Sequence, residues 1–276
     1  MWRLLMIALF SIGLLGGAYV FFRFHKLSIA RRIAEKSRLC GWLVCLLPLA
    51  VSACFLLINT WSFAIVLIHL VVIWALSDLI GLIIRLCARR CFRRYYAGYA
   101  ALAITVIWLG VGWFNAHHVY TTRYTFTSEK LDAPLRVALV ADSHLGITQD
   151  GDSFACEMEK LNRQHPDVLV LAGDFVDDDS SEADMLAACD ALGRFDAPYG
   201  VYFIYGNHDK GYFNYRNFST RTMVEALERN NVVILEDASV LLDGRFYIVG
   251  RQDRTARGRA SMQALTAGLD QSVYTI

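Results

Sequence analysis

With 276 residues, 55% of them hydrophobic, and a mean hydropathy of +0.36, the chain is too apolar for a soluble enzyme of its length, and part of it is expected to sit in lipid. The net charge of +1 hides an asymmetry: Arg31, Arg32, Arg89, Arg90, Arg93 and Arg94 crowd the first half, and Asp174, Asp177, Asp178 and Asp179 form the densest patch of the second. There is no nucleic-acid-binding signature, internal repeat or low-complexity tract.

Four apolar segments each reach the roughly 20 residues needed to cross a hydrocarbon core: Met1–Phe22, Cys40–Asn59, Trp61–Leu86 and Tyr96–Asn115. The first lacks a basic start and a small-residue cleavage site and is followed by further spans, so it reads as an anchor and not as a signal peptide. Arg23, Lys26, Arg31, Arg32, Lys36 and Arg38 follow the first span, and Arg85, Arg89, Arg90, Arg93 and Arg94 follow the third, whereas Asn59-Thr60 carries no charge. The positive-inside rule then puts both basic loops in the cytoplasm and both termini outside, outvoting Arg3. The expectation is a multi-pass protein of the cell membrane, with the lipid bilayer as a partner and everything after Asn115 extracytoplasmic.

Within the third span, His69 and Asp78 read as contacts between helices, with Asp78 reaching toward Arg85, because one acid and one imidazole do not make a proton relay. Tyr95, Tyr96, Trp108 and Trp113 read as interface anchors and His117-His118 as an interfacial turn. Five of the seven cysteines lie in or beside the spans as small apolar residues; Cys87 and Cys91 are also candidates for acylation, and the pairing of Cys156 with Cys189 is left open.

Past the spans, Tyr120, Thr122, Tyr124 and Phe126 alternate with more polar neighbours and predict a strand. Buried strands are expected at L-R-V-A-L-V-A-D, D-V-L-V-L-A-G-D and G-V-Y-F-I-Y-G-N, each an apolar run that stops at polar residues. Helices are expected at S-F-A-C-E-M-E-K-L-N-R-Q, at S-E-A-D-M-L-A-A-C-D-A-L-G behind a Ser181–Asp184 capping pair, and at T-M-V-E-A-L-E-R-N-N with Thr222 and Glu225 spaced as a capping box. V-V-I-L-E-D, S-V-L-L-D and F-Y-I-V-G read as further strands, and R-A-S-M-Q-A-L-T-A-G-L as a helix. This rhythm implies an α/β unit with a largely parallel sheet, whose ligands bind at the carboxyl ends of the strands.

That rule gathers Asp142 and His144, Asp174 and Asp177, and Asn207 and His208 into one crevice. Crowded carboxylates repel one another, and a divalent cation removes the repulsion. Oxygen and nitrogen donors without thiolate suit Mn²⁺, Fe²⁺ or Zn²⁺. Gly173 and Gly206 are expected to let the backbone turn sharply before the ligands. A D-x-H or a G-D-x-x-D alone is weak, and Asp177 to Ser181 alone could be a solvated turn; three such clusters after three successive strands form a pattern.

D-S-H at 142–144, G-D-F-V-D at 173–177 and G-N-H-D at 206–209 resemble the first three signature blocks of calcineurin-like metallophosphoesterases. The flanking V-A-L-V-A-D-S-H-L-G and V-L-V-L-A-G-D-F-V-D-D are similar to the branch with membrane-anchored bacterial and animal members. The four apolar segments make residues 1–118 a four-helix transmembrane region, and the resemblance, which covers roughly Tyr120 onward, implies a partial α-β-β-α sandwich of four layers in residues 119–276. It implies a membrane-anchored hydrolase of phosphomonoesters or phosphodiesters, holding two divalent ions of Mn, Fe or Zn with a bridging hydroxide as nucleophile. Carried over by position, it implies that Asp142 and His144 hold the first metal, Asp174 bridges both and Asn207 holds the second. His208 would serve as acid or charge stabiliser beside the phosphate with Asp209 orienting it, and Asp177 would stand behind the ligands. An envelope lipid or a nucleotide is the expected substrate, and Asp178, Asp179, Glu182 and Asp184 beside the site mildly disfavour highly anionic polymers.

The family also has a later His and a Gly-His-x-His block, and no histidine follows His208 in this chain. The outer domain is therefore expected to be incomplete at its C-terminus, to bind at most one metal well and to turn over slowly. The alternative from another class is a weak or inactive membrane protein whose outer domain senses metal or docks a partner.

Overall fold

The computed structural model describes residues 2–89, 94–211 and 216–276, apart from the side chains of residues 2–12 and of Ala88, so the expected contributions of Arg3, Arg90, Arg93 and Cys91 lie outside the described residues. The chain divides into two compact units, Met1–Ala116 and His117–Ile276.

Among the described residues, three runs of the first unit are long and apolar enough to cross a membrane: Arg38–Leu57, Thr60–Cys87 and Tyr96–Ala116. The first expected span is helical over Trp2–Phe24 (α1), and its described apolar stretch is the shorter Gly13–Phe24. A basic helix, α2 (Ser28–Lys36), leads into the second run. That run is not one helix: α3 (Arg38–Leu43) and α4 (Leu47–Cys54) are each followed by a 3-10 turn. Pro48, in the first turn of α4, has no N–H for a bond to the preceding turn, so the helix stops and restarts there. α5 (Thr60–Ala88) begins at Asn59, whose side chain accepts from Ser62 N at 2.7 Å, and α6 (Tyr96–Ala116) completes the unit.

α1 and α5 run parallel. Gly13 faces Leu67, Gly16 faces Val71 so closely that an added Cβ would lie 2.7 Å from its Cγ2, and Arg23 reaches Asp78. Ser28 Oγ lies 2.7 Å from Tyr99 OH, so the stretch after α1 sits beside the start of α6. Both described basic stretches therefore lie at one end of the bundle.

Asp78 joins helices as expected, but its partner is not Arg85. Arg23 of α1 pairs with it, Tyr19 and Tyr95 donate hydroxyls to it, and Trp74 Nε1 donates to Tyr95 OH at 2.8 Å. Arg85 lies two turns further along α5, and the nearer cation on α1 takes the carboxylate. Removing one member leaves the other charge in an apolar bundle. Asp78→Ala should therefore lower the stability of the detergent-solubilised protein by about 2 kcal/mol, after discounting for the part-exposed Arg23. Arg85→Ala should change it little, and thermal unfolding of both variants checks this.

The second unit alternates strand and helix: β1 (Val137–Val140), α7 (Gly151–Asn162), β2 (Val168–Ala172), α8 (Glu182–Gly193), β3 (Val201–Ile204), α9 (Thr220–Arg229) and β4 (Val232–Ile234). The four strands form one parallel sheet in the order β1-β2-β3-β4. β5 (Ala238–Leu242), β6 (Phe246–Gly250), a short α10 (Met262–Thr266) and β7 (Tyr274–Thr275) follow; β6 pairs antiparallel with β5 and parallel with β7.

Side-chain alternation assigns the two faces of the parallel sheet. Leu169, Leu171, Val201 and Phe203 pack with Phe154 and Met158 of α7, Met185 and Leu192 of α8, and Met223 and Leu227 of α9. Val168, Val170 and Tyr202 face the other way, onto Phe246 and Ile248 of β6. These side chains are nearly all sealed from solvent and contribute about 2 kcal/mol each by burial, which makes the central strands a stiff platform. The described residues thus build a helix layer and two sheets.

Four local expectations are corrected. Residues 120–126 form no strand and leave Tyr124 and Phe126 exposed, because alternation selects a face but supplies no neighbouring strand to bond with. β1 is not fully buried: it is an edge strand, and Leu139 is 67% exposed. The N-cap of α9 is Ser219, which accepts from Thr222 N at 3.1 Å, so the helix starts one turn before the expected box, and Glu225 pairs with Arg221 instead. The helix near residue 262 is only five residues long, since none of its side chains is buried. The Ser181–Asp184 capping pair is present. Cys156 and Cys189 are both free thiols, and burial pushes the Cys189 thiol up to about 12.

Candidate metal centre

The loops that follow β1 and β2 are bonded to each other backbone to backbone. Asp142 N donates to Gly173 O at 3.1 Å, His144 N to Asp174 O at 2.9 Å and Leu145 N to Phe175 O at 3.1 Å. Leu145, Phe175 and Val176 are buried beneath this seam and anchor it to the core. Asp142, His144 and Asp174 all hold left-handed backbones, with φ of 53°, 39° and 50°. Such strain costs about 1–3 kcal/mol per residue and persists only where the surroundings enforce it. Here it turns three side chains toward one point: one donor atom each from Asp142, His144 and Asp174 lie within 4.8 Å of one another.

The loop after β3 closes the site. His208 N donates to Asp174 Oδ1 at 2.9 Å, and the His208 ring stands edge-on to His144 with centroids 5.0 Å apart. Asn207 lies in the same turn, between that N–H and Gly206. Gly173 has φ +85° and needs its conformational freedom, as expected. Gly206 is needed for space instead, since a Cβ there would lie 2.2 Å from Asp174 Oδ1.

His144 Nδ1 is 2.6 Å from Asp177 Oδ2, while its Nε2 lies 3.8 Å from Asp174 Oδ2. A proton shared toward Asp177 fixes the ring and leaves the Nε2 lone pair facing the Asp142–Asp174 point, the usual support for a metal-binding imidazole. Asp177 Oδ2 is also 3.5 Å from His208 Nδ1, so one carboxylate serves both rings; Asp177, His144 and His208 form a second cluster of donors within 4.8 Å.

Asp209 acts differently from the expected direct orientation of His208. Its carboxylate is fully buried and accepts four backbone N–H groups: Asp174 at 2.9 Å, Gly206 at 2.7 Å, Phe175 at 2.8 Å and Val176 at 3.1 Å. It ties the second loop to the third, and any effect on His208 passes through that backbone. Burial pushes its pKa up; the N–H groups of Gly206 and Val176 pull it down, the Asp174 charge adds to the rise, and the net shift is upward.

Of the four acids expected beside the site, two are engaged within the fold, whereas Asp179 is exposed and Glu182 half-buried. Asp178 is buried, with Oδ2 3.7 Å from His208 Nδ1, and Asp184 accepts from Gly151 N at 2.9 Å and bonds Ser181. Sequence reading missed Ser180, whose hydroxyl accepts Asp177 N at 2.7 Å and donates to Leu145 O, fixing Asp177 between the loops. The D-D-D-S-S run carried the signal, because aspartate and serine side chains commonly bond nearby backbone groups in turns.

Residues 135–259 match the family model of calcineurin-like phosphoesterases. Over that stretch the chain is similar to calcineurin-like phosphoesterases. The chain is 27% identical over 128 residues to an uncharacterised metallophosphoesterase, YkuE, of Bacillus subtilis, a match covering 43% of this chain and 45% of that protein. A transmembrane protein with a metallophosphoesterase domain from Danio rerio is 36% identical over 75 residues, 27% of this chain and 17% of that protein. Its namesake in Bos taurus is 34% identical over 104 residues, 36% and 23% of the two chains. The matches thus span less than half the length of these relatives. Phosphoesterases of this family bind divalent metals, and the donor set fits that requirement: two carboxylates and an imidazole share a point where, without a cation, the two negative charges repel.

Proposed function

We propose that the protein is a membrane-anchored, metal-dependent phosphoester hydrolase. The observation that carries this reading is the convergence of Asp142, His144 and Asp174, each on a left-handed backbone, with donor atoms within 4.8 Å. Asp142, His144 and Asp174 would hold one divalent cation, and Asp174 with Asn207 alone would hold a second only weakly; manganese, iron or zinc suits these donors. When bound, such cations neutralise a phosphoryl oxygen and lower the pKa of water. The chain's own groups do the rest. Asp177 fixes the His144 ring. His208, placed by its N–H bond to Asp174 and flanked by Asp177 and Asp178, stands beside the donor cluster to give a proton to the departing oxygen. Asp209 holds the loops in register.

Topology supports an extracytoplasmic site. Both described basic stretches lie at one end of the bundle, α6 leaves that end, and the phosphoesterase domain follows it; α1 supplies the fourth span. An envelope lipid or a nucleotide at that face is the proposed substrate. Hydrolysis of bis-p-nitrophenyl phosphate with Mn²⁺ tests the reading. The wild-type rate should vanish with chelator, and Asp142→Ala and His208→Ala should each lower it by about 100-fold or more. Equal rates in all three proteins would defeat it.

A further inference from the structure

Residues 251–260, R-Q-D-R-T-A-R-G-R-A, place four arginines in a half of the chain whose densest charge is acidic. The loop leaves β6 beside the end of β4, at the carboxyl end of the parallel sheet, where the loops after β1, β2 and β3 carry the donors. A Cβ on Gly250, the last residue of β6, would lie 2.2 Å from Leu235 Cβ, just past β4, and β4 runs parallel to the strands whose carboxyl ends bear the donors.

A continuous set of contacts joins the two. Lys210, next to Asp209, lies 4.6 Å above the Tyr205 ring and pairs with Glu236. The following residue, Asp237, has φ 48°, and its two oxygens accept Gln252 N at 3.0 Å and Ala260 N at 2.9 Å. Those bonds clamp both ends of the arginine loop. Inside it, Arg251 Nε donates to Ala260 O at 2.8 Å, Arg259 Nε donates to Gln252 O, and Asp253 Oδ1 accepts Thr255 N at 2.8 Å. The neighbouring acids are thus all engaged: Glu236 by Lys210, Asp237 by two N–H groups and Asp253 by Thr255. Arg254 and Arg257 are exposed, and neither joins an ion pair among the described residues. The loop does not need them to hold its shape.

We propose that Arg254 and Arg257 bind a second phosphate on the substrate, so that the substrate class is a phosphoester carrying a further phosphate group beyond the one cleaved. This rests on the phosphoesterase reading above. A guanidinium presents a planar pair of donors that matches phosphate oxygens, and a clamped loop loses little freedom on binding.

Calorimetric titration of the full chain in detergent with Mn²⁺ tests it, using adenosine 3′,5′-bisphosphate and adenosine 5′-monophosphate as probes. The wild type should bind the bisphosphate about tenfold more tightly, a charge-assisted contact discounted for exposure. Arg254→Ala/Arg257→Ala should abolish that preference without weakening the monophosphate, and each single variant should lose part of it, which separates recognition from a folding defect. Equal affinity of the wild type for both probes, or a preference that survives in the double variant, overturns the proposal. Because binding is read without turnover, an intact arginine-dependent preference with no hydrolysis would defeat the hydrolase reading and leave Arg254 and Arg257 as a phosphate-binding pair without the substrate assignment.

Discussion

Replacing Asp209 with alanine is expected to destabilise the His117–Ile276 unit by about 4 kcal/mol, an effect set by four donors losing one acceptor group. Asp174, Phe175, Val176 and Gly206 all direct N–H groups at this carboxylate, inside a core that excludes it from solvent. Each orphaned N–H costs about 1–3 kcal/mol, and some recover water through the opened cavity, so the sum falls toward the lower end. Against a typical total of about 5–15 kcal/mol, that is a large share. The loss should be local first: the amides of residues 174–176 and 206 should exchange hydrogen far faster while the helix layer stays protected. Asp209→Asn keeps one acceptor oxygen but turns an amide donor toward N–H groups, and should cost about half as much. Hydrogen exchange with thermal unfolding checks both, and an Asp209→Ala protein as stable as the wild type would remove this carboxylate from the account.

Asp174→Asn should produce the reverse pattern, a stable protein without activity. Asp174 sits where the three loops meet. Its carbonyl accepts His144 N, its N–H reaches Asp209, its Oδ1 accepts His208 N at 2.9 Å and its Oδ2 lies 3.8 Å from His144 Nε2. The asparagine keeps an oxygen for His208 N and the same volume, so stability should change by about 1 kcal/mol or less. The negative charge at the donor cluster is lost, and with it several kcal/mol of interaction with a cation, so kcat/KM with bis-p-nitrophenyl phosphate should fall by about 10³-fold or more. Activity within tenfold of wild type, in a normally folded variant, would mean that Asp174 does not hold the ion.

The parts of this molecule legible in its sequence are those set by local pattern. Apolar length marked the membrane runs, and apolar strands ending in D-x-H, G-D-x-x-D and G-N-H-D marked three loops that the parallel sheet does bring together. What stayed hidden depends on partners distant in sequence. Asp78 meets Arg23, 55 residues away, although Arg85 is nearer along the chain. Residues 120–126 alternate correctly yet find no ladder, because period two says nothing about a neighbour. Asp209 read as a support for His208, its chain neighbour, whereas its four bonds run to the backbones of Gly206 and of the preceding loop, a role that only folded coordinates display. Gly206 was assigned for flexibility and serves by leaving room for Asp174, since sequence shows which residue is small but not what presses against it.

The most direct test of the central claim is a Mn²⁺ titration of the full chain followed by electron paramagnetic resonance. Manganese should be held tightly by the wild type, lost in Asp174→Asn and retained in Arg85→Ala. Equal manganese binding by the wild type and Asp174→Asn would contradict that claim, because the three loops would then converge on something other than a cation.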